Sequence, residues 1–298
     1  MTAHPQTPEL APHYYRDNFL RLCDTVQSQY GDILLDAEQV RLDDFRGLPF
    51  NAQCLYVRLV SRAGPWFRES RLHYPELGPL DDAIEALLGS GFAFEPAGLA
   101  VEELERLYTR QELQAMFPEL PANAGSASKA ALVESISELG LDEAALVHAA
   151  GALDGQRILA PEGLELVELL QLLFFGNRYQ GLTEFVLEDL GLSRYYPYKL
   201  EPGNRLFGCR EAVAEYLACA SLSDRHYELT ETGDAEELPD LGREVEALVQ
   251  GVTKISVIRG RSKTTQAAAT IRKMLFAMVK DIRVIMIKLA DKLHNMRT

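Results

Sequence analysis

The chain changes its charge, its proline content and its choice of basic residue abruptly near Gln250. Up to that residue 19 Lys and Arg stand against 42 Asp and Glu, whereas residues 251–298 hold 11 against two. All 14 prolines lie in the first part, and lysine, which occurs there only at positions 129 and 199, becomes frequent in the second. One packed domain can carry a basic C-terminal helix, but a simultaneous break in all three properties indicates two segments of different origin. The sequence therefore predicts a multi-domain chain with a join between about 238 and 251.

The overall composition predicts a globular protein of the cytoplasm. With 298 residues, of which 47% are hydrophobic and 25% charged, the chain has room for two or three domains with buried cores. Its net charge of −14 argues against a protein that coats nucleic acid by bulk electrostatics. No signal peptide and no apolar run of membrane-spanning length is recognised, so no membrane contact is expected. Four scattered cysteines without a Cys-x-x-Cys pair argue against a disulfide scaffold and a structural zinc site.

Apolar periodicity predicts that the first segment is mainly α-helical. Helices are expected over 18–30, 52–61 and 79–91, and the alternating stretches 65–74 and 91–96 predict short strands. The order helix, helix, strand, helix, strand is typical of a winged helix-turn-helix, although other small α+β folds fit nearly as well.

A compact helix–loop–helix module follows. Thr109 with Glu112 three residues later forms a capping-box pattern, and a Pro/Gly/Ser/Ala loop leads to a second helix that starts near Ser128. From Pro161 to about Glu246 the sequence is helical again and is compatible with the start of a helical repeat.

The first 250 residues contain no recognisable catalytic motif. There is no G-x-S-x-G, P-loop, G-x-G-x-x-G or H-E-x-x-H sequence. A metal-dependent nuclease needs two or three convergent carboxylates, whereas the acidic residues here follow the solvated faces of predicted helices. No catalytic residue is therefore assigned.

Phosphate contacts are better supported by the sequence. Four arginines lie within 14 residues around Trp66 and Tyr74, opposed only by Glu69: Arg58, Arg62, Arg68 and Arg71. They predict a local positive patch that binds DNA phosphates, with Lys129 at a helix start as a further contact. The alternative is a set of surface arginines that neutralise neighbouring carboxylates.

At this point the first segment resembles a known family. The stretches YYRDNFLRLCDTVQSQYGDILL, LPFNAQCLYVRLVSRAGPWFRESRLHYPELG and LLFFGNRYQGLTEFVLEDLGLSRYYPYKL resemble the N-terminal half of bacterial Fanconi-associated nucleases of the VRR-NUC family. The resemblance covers about 14–237, and within it the 109–139 stretch resembles the SAP module of that family. It implies the DNA-binding half of a repair nuclease that grips branched or 5′-flap DNA and uses Mg or Mn. Gly181 departs from the acidic residue expected there, and no nuclease domain is recognised before the chain ends, so this chain alone is expected to cut nothing.

The tail resembles a different family. Residues 269–298 predict two amphipathic helices, and GVTKIS with IRKMLFAMVKDIRVIMIKLADKLHNMRT resembles the end of the HD hydrolase domain of RelA/SpoT alarmone enzymes. The resemblance implies that Asp291 belongs to a manganese site and that Asn295 contacts a nucleotide. The upstream His and the adjacent His-Asp pair of that site have no counterpart among the six histidines of this chain. The metal site is therefore expected to be incomplete.

The resulting domain prediction has four parts: a winged-helix-like DNA-binding domain (14–100), a SAP-like helix–loop–helix (101–150), a helical repeat-like region (155–246) and an HD-domain fragment (251–298). The leading functional hypothesis is the DNA-binding half of a structure-specific nuclease. The alternatives are a (p)ppGpp pyrophosphohydrolase-related fragment and a non-enzymatic helical scaffold or chimeric gene product. The apolar face of the tail helices also predicts self-association.

Overall fold

The structure, a computed structural model, describes five stretches of the chain: residues 10–120, 128–155, 157–178, 180–189 and 205–232. Most of these residues are helical, which confirms the prediction of a mainly α-helical fold. The α-helices are α1 (Tyr14–Tyr30), α2 (Asp36–Gly47), α3 (Phe50–Val60), α4 (Asp81–Gly89), α5 (Val101–Leu107), α6 (Arg110–Met116), α7 (Lys129–Glu138), α8 (Glu143–Asp154), α9 (Leu164–Phe175), α10 (Thr183–Asp189) and α11 (Arg210–Thr232).

Three short strands form one antiparallel sheet: β1 (Phe67–Arg68), β2 (Ala93–Phe94) and β3 (Ile158–Pro161). The strand order is β1-β3-β2, so the central strand is the last one along the chain. Phe67 pairs with Leu159, and Ala93 pairs with Pro161. The sheet is therefore complete only after the chain has passed through α5–α8 and returned.

The N-terminal core is built around the helix α1. Its apolar residues recur at helical spacing, which buries Phe19, Leu22 and Val26 on one face against α3 and α9. Phe19 lies edge-on to Phe45 of α2, with ring centroids 5.0 Å apart. The aromatic packing continues to Tyr56 and Phe92, which links the first three helices to the start of β2.

A second core lies within helices α5–α8. Its members are buried and come from all four helices: Leu104, Leu113, Leu132, Ile136 and Leu146 among others. Gly155 ends α8 in the left-handed conformation (φ 63°), and its N–H donates to the Gly151 carbonyl at 2.9 Å. A residue with a Cβ is disfavoured there, and this turn sends the chain back towards β3.

Three local features differ from the sequence-based predictions. The stretch 65–74, predicted as a strand, is a strand only at Phe67–Arg68 and then turns into a 3₁₀ helix at Glu69–Arg71, because the Leu72 N–H bonds back to the Glu69 carbonyl. Helix α2 was not predicted; it buries only Leu42 and Phe45, so its apolar periodicity is weak. Strand β3 was not predicted either, since four buried residues next to a helix give no alternation to detect.

The chain divides into two units, the first ending at Arg210. The second begins with the rest of α11, whose described side chains include the buried Val213 and Ala220. Asp291, Asn295 and the two helices predicted over 269–298 lie outside the described residues.

Candidate nucleic-acid interface

A cavity of about 720 Å³ lies between the segment Arg62–Arg71 and the helices α5–α7. We call it the junction pocket. Its lining includes five cationic side chains: Arg62, Arg68, Arg71, Arg106 and Lys129. Glu103 also lines it. Four of the five predicted DNA contacts therefore meet in one concave site, inside a segment whose net charge is −23.

Arg68 is the most deeply buried of these cations, with 5% of its side chain exposed. Its Nη1 donates to Glu112 Oε1 at 2.8 Å and to the Leu107 carbonyl at 3.4 Å. The guanidinium carbon lies 4.0 Å from the centroid of the Tyr108 ring. A buried charge is tolerated only when it is paired, and Arg68 meets that requirement with groups of α5 and α6.

Glu112 forms ion pairs with both Arg68 and Arg71. Arg71 Nη2 lies 3.1 Å from the same Oε1, and 60% of its side chain is exposed. Partial burial raises the pKa of Glu112, but hydrogen bonds from Thr109 and Arg68 outweigh that effect and lower the pKa to about 2. At neutral pH one ionised carboxylate thus faces two guanidinium groups, which leaves one positive charge in excess.

The other three cations of the pocket face no carboxylate partner among the described residues. Arg62 Nη1 donates to Tyr74 Oη at 3.1 Å, and Lys129 Nζ donates to the Glu105 carbonyl. Arg106 has neither an ion pair nor a side-chain hydrogen bond in the part of the chain that the structure describes. No ion pair with a described carboxylate competes for these three charges.

Arg58 is not brought together with the other four. Its Nη2 donates to Glu76 Oε1 at 2.7 Å, and its guanidinium carbon lies 3.8 Å from the centroid of the Tyr15 ring. Tyr15 Oη also donates to Glu76 Oε1, at 3.2 Å. This arginine therefore joins α3 to α1 and to the loop before α4, as the alternative interpretation of surface arginines expects.

Arg106 was missed by the sequence reasoning. It stands in the last turn of α5 among three acidic residues of the same helix, so its surroundings in sequence suggest a solvated face. A signal existed, since the predicted capping box at Thr109 places Arg106 just before the first helix of the module that was expected to bind DNA.

No group of three or more His, Cys, Asp or Glu side chains that could hold a metal ion occurs within the described residues. In the same stretches, no helix combines the length and the apolar character needed to cross a bilayer.

Comparison with known domain families places two matches on the elements around the pocket. Residues 13–93 match the FAN1 HTH domain, and residues 98–147 match the Fanconi anemia-associated nuclease SAP domain. The N-terminal region resembles that of Fanconi-associated nucleases. We call these ranges the HTH region and the SAP region. Residues 206–298 match an HD domain.

Curated relatives agree with these matches. A Fanconi-associated nuclease 1 homolog of Pseudomonas aeruginosa is 32% identical over 248 residues, which is 83% of this chain and 41% of that protein. An Arabidopsis thaliana homolog is 28% identical over 211 residues, covering 68% of this chain and 24% of that protein. The chain thus spans less than half of the length of these relatives. The bifunctional (p)ppGpp synthase/hydrolase SpoT of Escherichia coli is 52% identical over 65 residues, 22% of this chain and 9% of SpoT.

Two solved structures of paFAN1 are also similar to this chain. A crystal structure of paFAN1 bound to 2nt 5′ flap DNA with a gap matches with a TM-score of 0.68 and 29% identity, covering 82% of this chain and 42% of that one. A second, with a 1nt 5′ flap, gives a TM-score of 0.64 and 31% identity over 72% of this chain and 40% of that one. The junction pocket therefore lies between two regions that both match a Fanconi-associated nuclease.

Proposed function

We propose that this chain binds branched double-stranded DNA with a 5′ flap and that the junction pocket is part of the interface. The observation that carries the proposal is the meeting of five cations in one cavity of a strongly acidic segment. The similarity to paFAN1, whose crystal structures contain 5′ flap DNA, supports the choice of ligand.

The five cations differ in the role we assign to them. Arg62, Arg106 and Lys129 carry charge that no described carboxylate neutralises, so each is suited to a backbone phosphate. Arg71 is exposed and shares Glu112, so it can turn one edge of its guanidinium to a phosphate. Arg68 is buried and holds the wall of the pocket in place.

Salt-dependent binding tests this proposal. We expect Arg62→Gln with Lys129→Gln to weaken binding of a fluorescent 5′-flap duplex about tenfold at low salt. The slope of log K against log salt should also become shallower, by about one for each phosphate that the variant no longer binds. Fluorescence anisotropy over a salt series measures both quantities.

The matched control is Arg16→Gln with Arg46→Gln. It removes the same charge from two ion-paired arginines, neither of which is among the lining residues. If both double variants bind the flap equally well, the pocket is not the interface. If the wild-type chain binds no flap DNA even at low salt, DNA binding itself is rejected.

We propose further that this DNA-binding region serves a structure-specific phosphodiester hydrolysis by a VRR-NUC-type nuclease domain. The support is that the relatives it matches are named nucleases and that the chain spans 41% of the Pseudomonas aeruginosa protein. An assay of 5′-flap cleavage with Mn²⁺ by the chain as given is expected to show no product, and robust cutting would contradict the assignment.

For the tail we propose an HD-like segment in which Asp291 and Asn295 keep the positions of a metal ligand and a nucleotide contact without a complete site. The HD-domain match and the SpoT relative support the resemblance. Mn²⁺-dependent hydrolysis of guanosine tetraphosphate is expected to be absent; hydrolysis that Asp291→Ala abolishes contradicts the proposal.

We also propose that the chain associates with itself through the apolar face of the predicted tail helices. Sedimentation over a concentration series measures this, with Ile285→Asn and Leu289→Asn expected to shift the chain towards the monomer. A cytoplasmic location is proposed from the four scattered cysteines, which form no Cys-x-x-Cys pair in the sequence, since such a pattern suits a reducing compartment.

A further inference from the structure

Two glutamates of the SAP region cap the starts of their helices in the same way. Glu103 Oε2 accepts the Ala100 N–H at 2.8 Å at the start of α5, and Glu112 Oε2 accepts the Thr109 N–H at 2.7 Å at the start of α6. Each therefore satisfies an otherwise unpaired N–H of its own helix. A capping glutamate needs only one carboxylate oxygen for this bond, so the other oxygen remains available.

In both cases the second oxygen reaches the HTH region. Trp66 Nε1 donates to Glu103 Oε1 at 2.5 Å, and Arg68 Nη1 donates to Glu112 Oε1 at 2.8 Å. Trp66 directly precedes β1 and Arg68 lies within it, and residues two apart in an extended segment project to the same face. Two side chains on one face of this segment thus reach the glutamates at the starts of α5 and α6.

The two contacts hold the two regions together because at least one partner of each contact is buried or half-buried in the protein. Arg68 is a charge inside the protein, and Trp66 packs against the apolar core of α5–α8. Separating the two regions exposes that apolar surface and leaves the guanidinium without its carboxylate, which is strongly unfavourable. The residue just before β3 is also tied to the HTH region, since the Glu69 N–H donates to the Arg157 carbonyl at 2.9 Å.

We infer that Trp66 and Arg68, held by Glu103 and Glu112, form a two-point clamp that joins the HTH and SAP regions into one rigid body before DNA is bound. Glu103 and Glu112 are then positioning residues: they are anions on a surface proposed to bind a polyanion, and they favour binding because they fix the walls of the junction pocket. Only the DNA-binding arm of this inference rests on the proposed function.

The direction in which Glu112→Gln changes the affinity for DNA distinguishes the clamp from simple electrostatics. Glu112→Gln retains an oxygen for the Thr109 N–H, since glutamine also serves in a capping box, but it removes the charge that pairs with Arg68. Loss of a negative charge near DNA strengthens binding if the carboxylate acts only through its field. The clamp predicts the opposite, a three- to tenfold weaker binding of the 5′-flap duplex, because a preorganised site becomes a mobile one.

Hydrogen exchange of the full chain tests the clamp without any DNA. We expect Glu112→Gln to raise amide exchange about tenfold in β1, α5 and α6 together, and Glu103→Gln to do the same to a smaller extent. The matched control is Glu38→Gln. Glu38 caps α2 through the Leu35 N–H and binds Arg210 at 2.7 Å, so its substitution removes the same kind of ion pair away from the pocket.

Each outcome has a defined meaning. Exchange that rises only in the first turn of α6, or a Glu112→Gln chain that binds flap DNA as tightly as the wild type or more tightly, overturns the clamp. If Glu112→Gln does not fold by circular dichroism, Glu103→Gln decides by the same two readouts. If the wild type binds no flap DNA, the proposed function fails, while the exchange pattern still accepts or rejects the clamp.

Discussion

Arg58 and Arg68 both lie in the HTH region and each pairs with a glutamate, yet the two ion pairs connect different parts of the molecule. Arg58 lies within the HTH region, between Glu76 and the Tyr15 ring, and 30% of its side chain is exposed. Arg68 crosses into the SAP region to reach Glu112 and is almost fully buried. The first stabilises one region internally, and the second joins two regions at a pocket.

This difference shows that a cluster of arginines in sequence is not a cluster in space. The strand β1 turns Arg68 towards α6, and the 3₁₀ turn that follows carries Arg71 to the same carboxylate. Arg58 lies earlier in the chain, in the last turn of α3, and its guanidinium faces Tyr15 of α1 instead. Only the residues that meet at the junction are then proposed to contact DNA.

The largest effect is expected when the junction pair is broken. Arg68→Gln leaves Glu112 with only the exposed Arg71 as a cationic partner and removes a buried ion pair, so we expect the free energy of unfolding to fall by about 2–4 kcal/mol. Urea unfolding followed by circular dichroism measures the change. A decrease no larger than that of Arg58→Gln would remove the distinction between the two sites.

A smaller decrease is expected at the internal pair. Arg58→Gln breaks a partly exposed bridge to Glu76, and we expect it to lower the free energy of unfolding by about 1–2 kcal/mol. Binding of 5′-flap DNA should stay within about twofold of the wild type, since this arginine is already neutralised. A tenfold weaker flap complex at unchanged stability would return Arg58 to the DNA interface.

Arg106→Gln should weaken DNA binding while stability stays nearly unchanged, which is the reverse of the result expected for Arg58→Gln. Because Arg106 has no partner among the described residues, the free energy of unfolding should change by less than about 0.5 kcal/mol. Flap binding at low salt should weaken about two- to fourfold, with a shallower salt dependence. Equal affinity over the whole salt series contradicts a phosphate contact at this position.

The smallest effect concerns acid stability. The pKa of Glu112 is lowered in the folded chain to about 2 from an ordinary value of 4.5, so its contribution to stability is present above about pH 4.5 and is lost as the pH falls towards 2. Glu112→Gln should therefore reduce the difference in stability between pH 6 and pH 3. A variant whose acid unfolding parallels the wild type shows that other carboxylates dominate.

Much of the local structure could be predicted because its causes are local. The Thr109–Glu112 capping box and the helix that begins after Ser128 both lie where the sequence indicates. These features depend on residues three or four positions apart. Helix α2 and strand β3 escaped prediction because neither carries a strong apolar period, and both owe their place to neighbours distant in sequence.

The sequence predicted the kind of side chain that lines the candidate site, but only some of the residues themselves. Four of the five predicted cations meet in the junction pocket, while Arg58 lies elsewhere and Arg106 joins them. No sequence pattern pairs Arg68 with Glu112, because the two residues come together only when the tertiary fold brings the first turn of α6 close to β1. The predicted roles of Asp291 and Asn295 stay predictions, since both lie outside the described residues.

The sequence by itself determined the break in composition near Gln250, the mainly helical character, the capped helix starts and the local cluster of arginines around Trp66. The tertiary structure alone decided that β3 inserts between β1 and β2 and which arginines share a pocket. The physical reason is the range of the interactions. Propensity and capping act over one helical turn, whereas strand pairing and the burial of a charge depend on which distant segment supplies the partner.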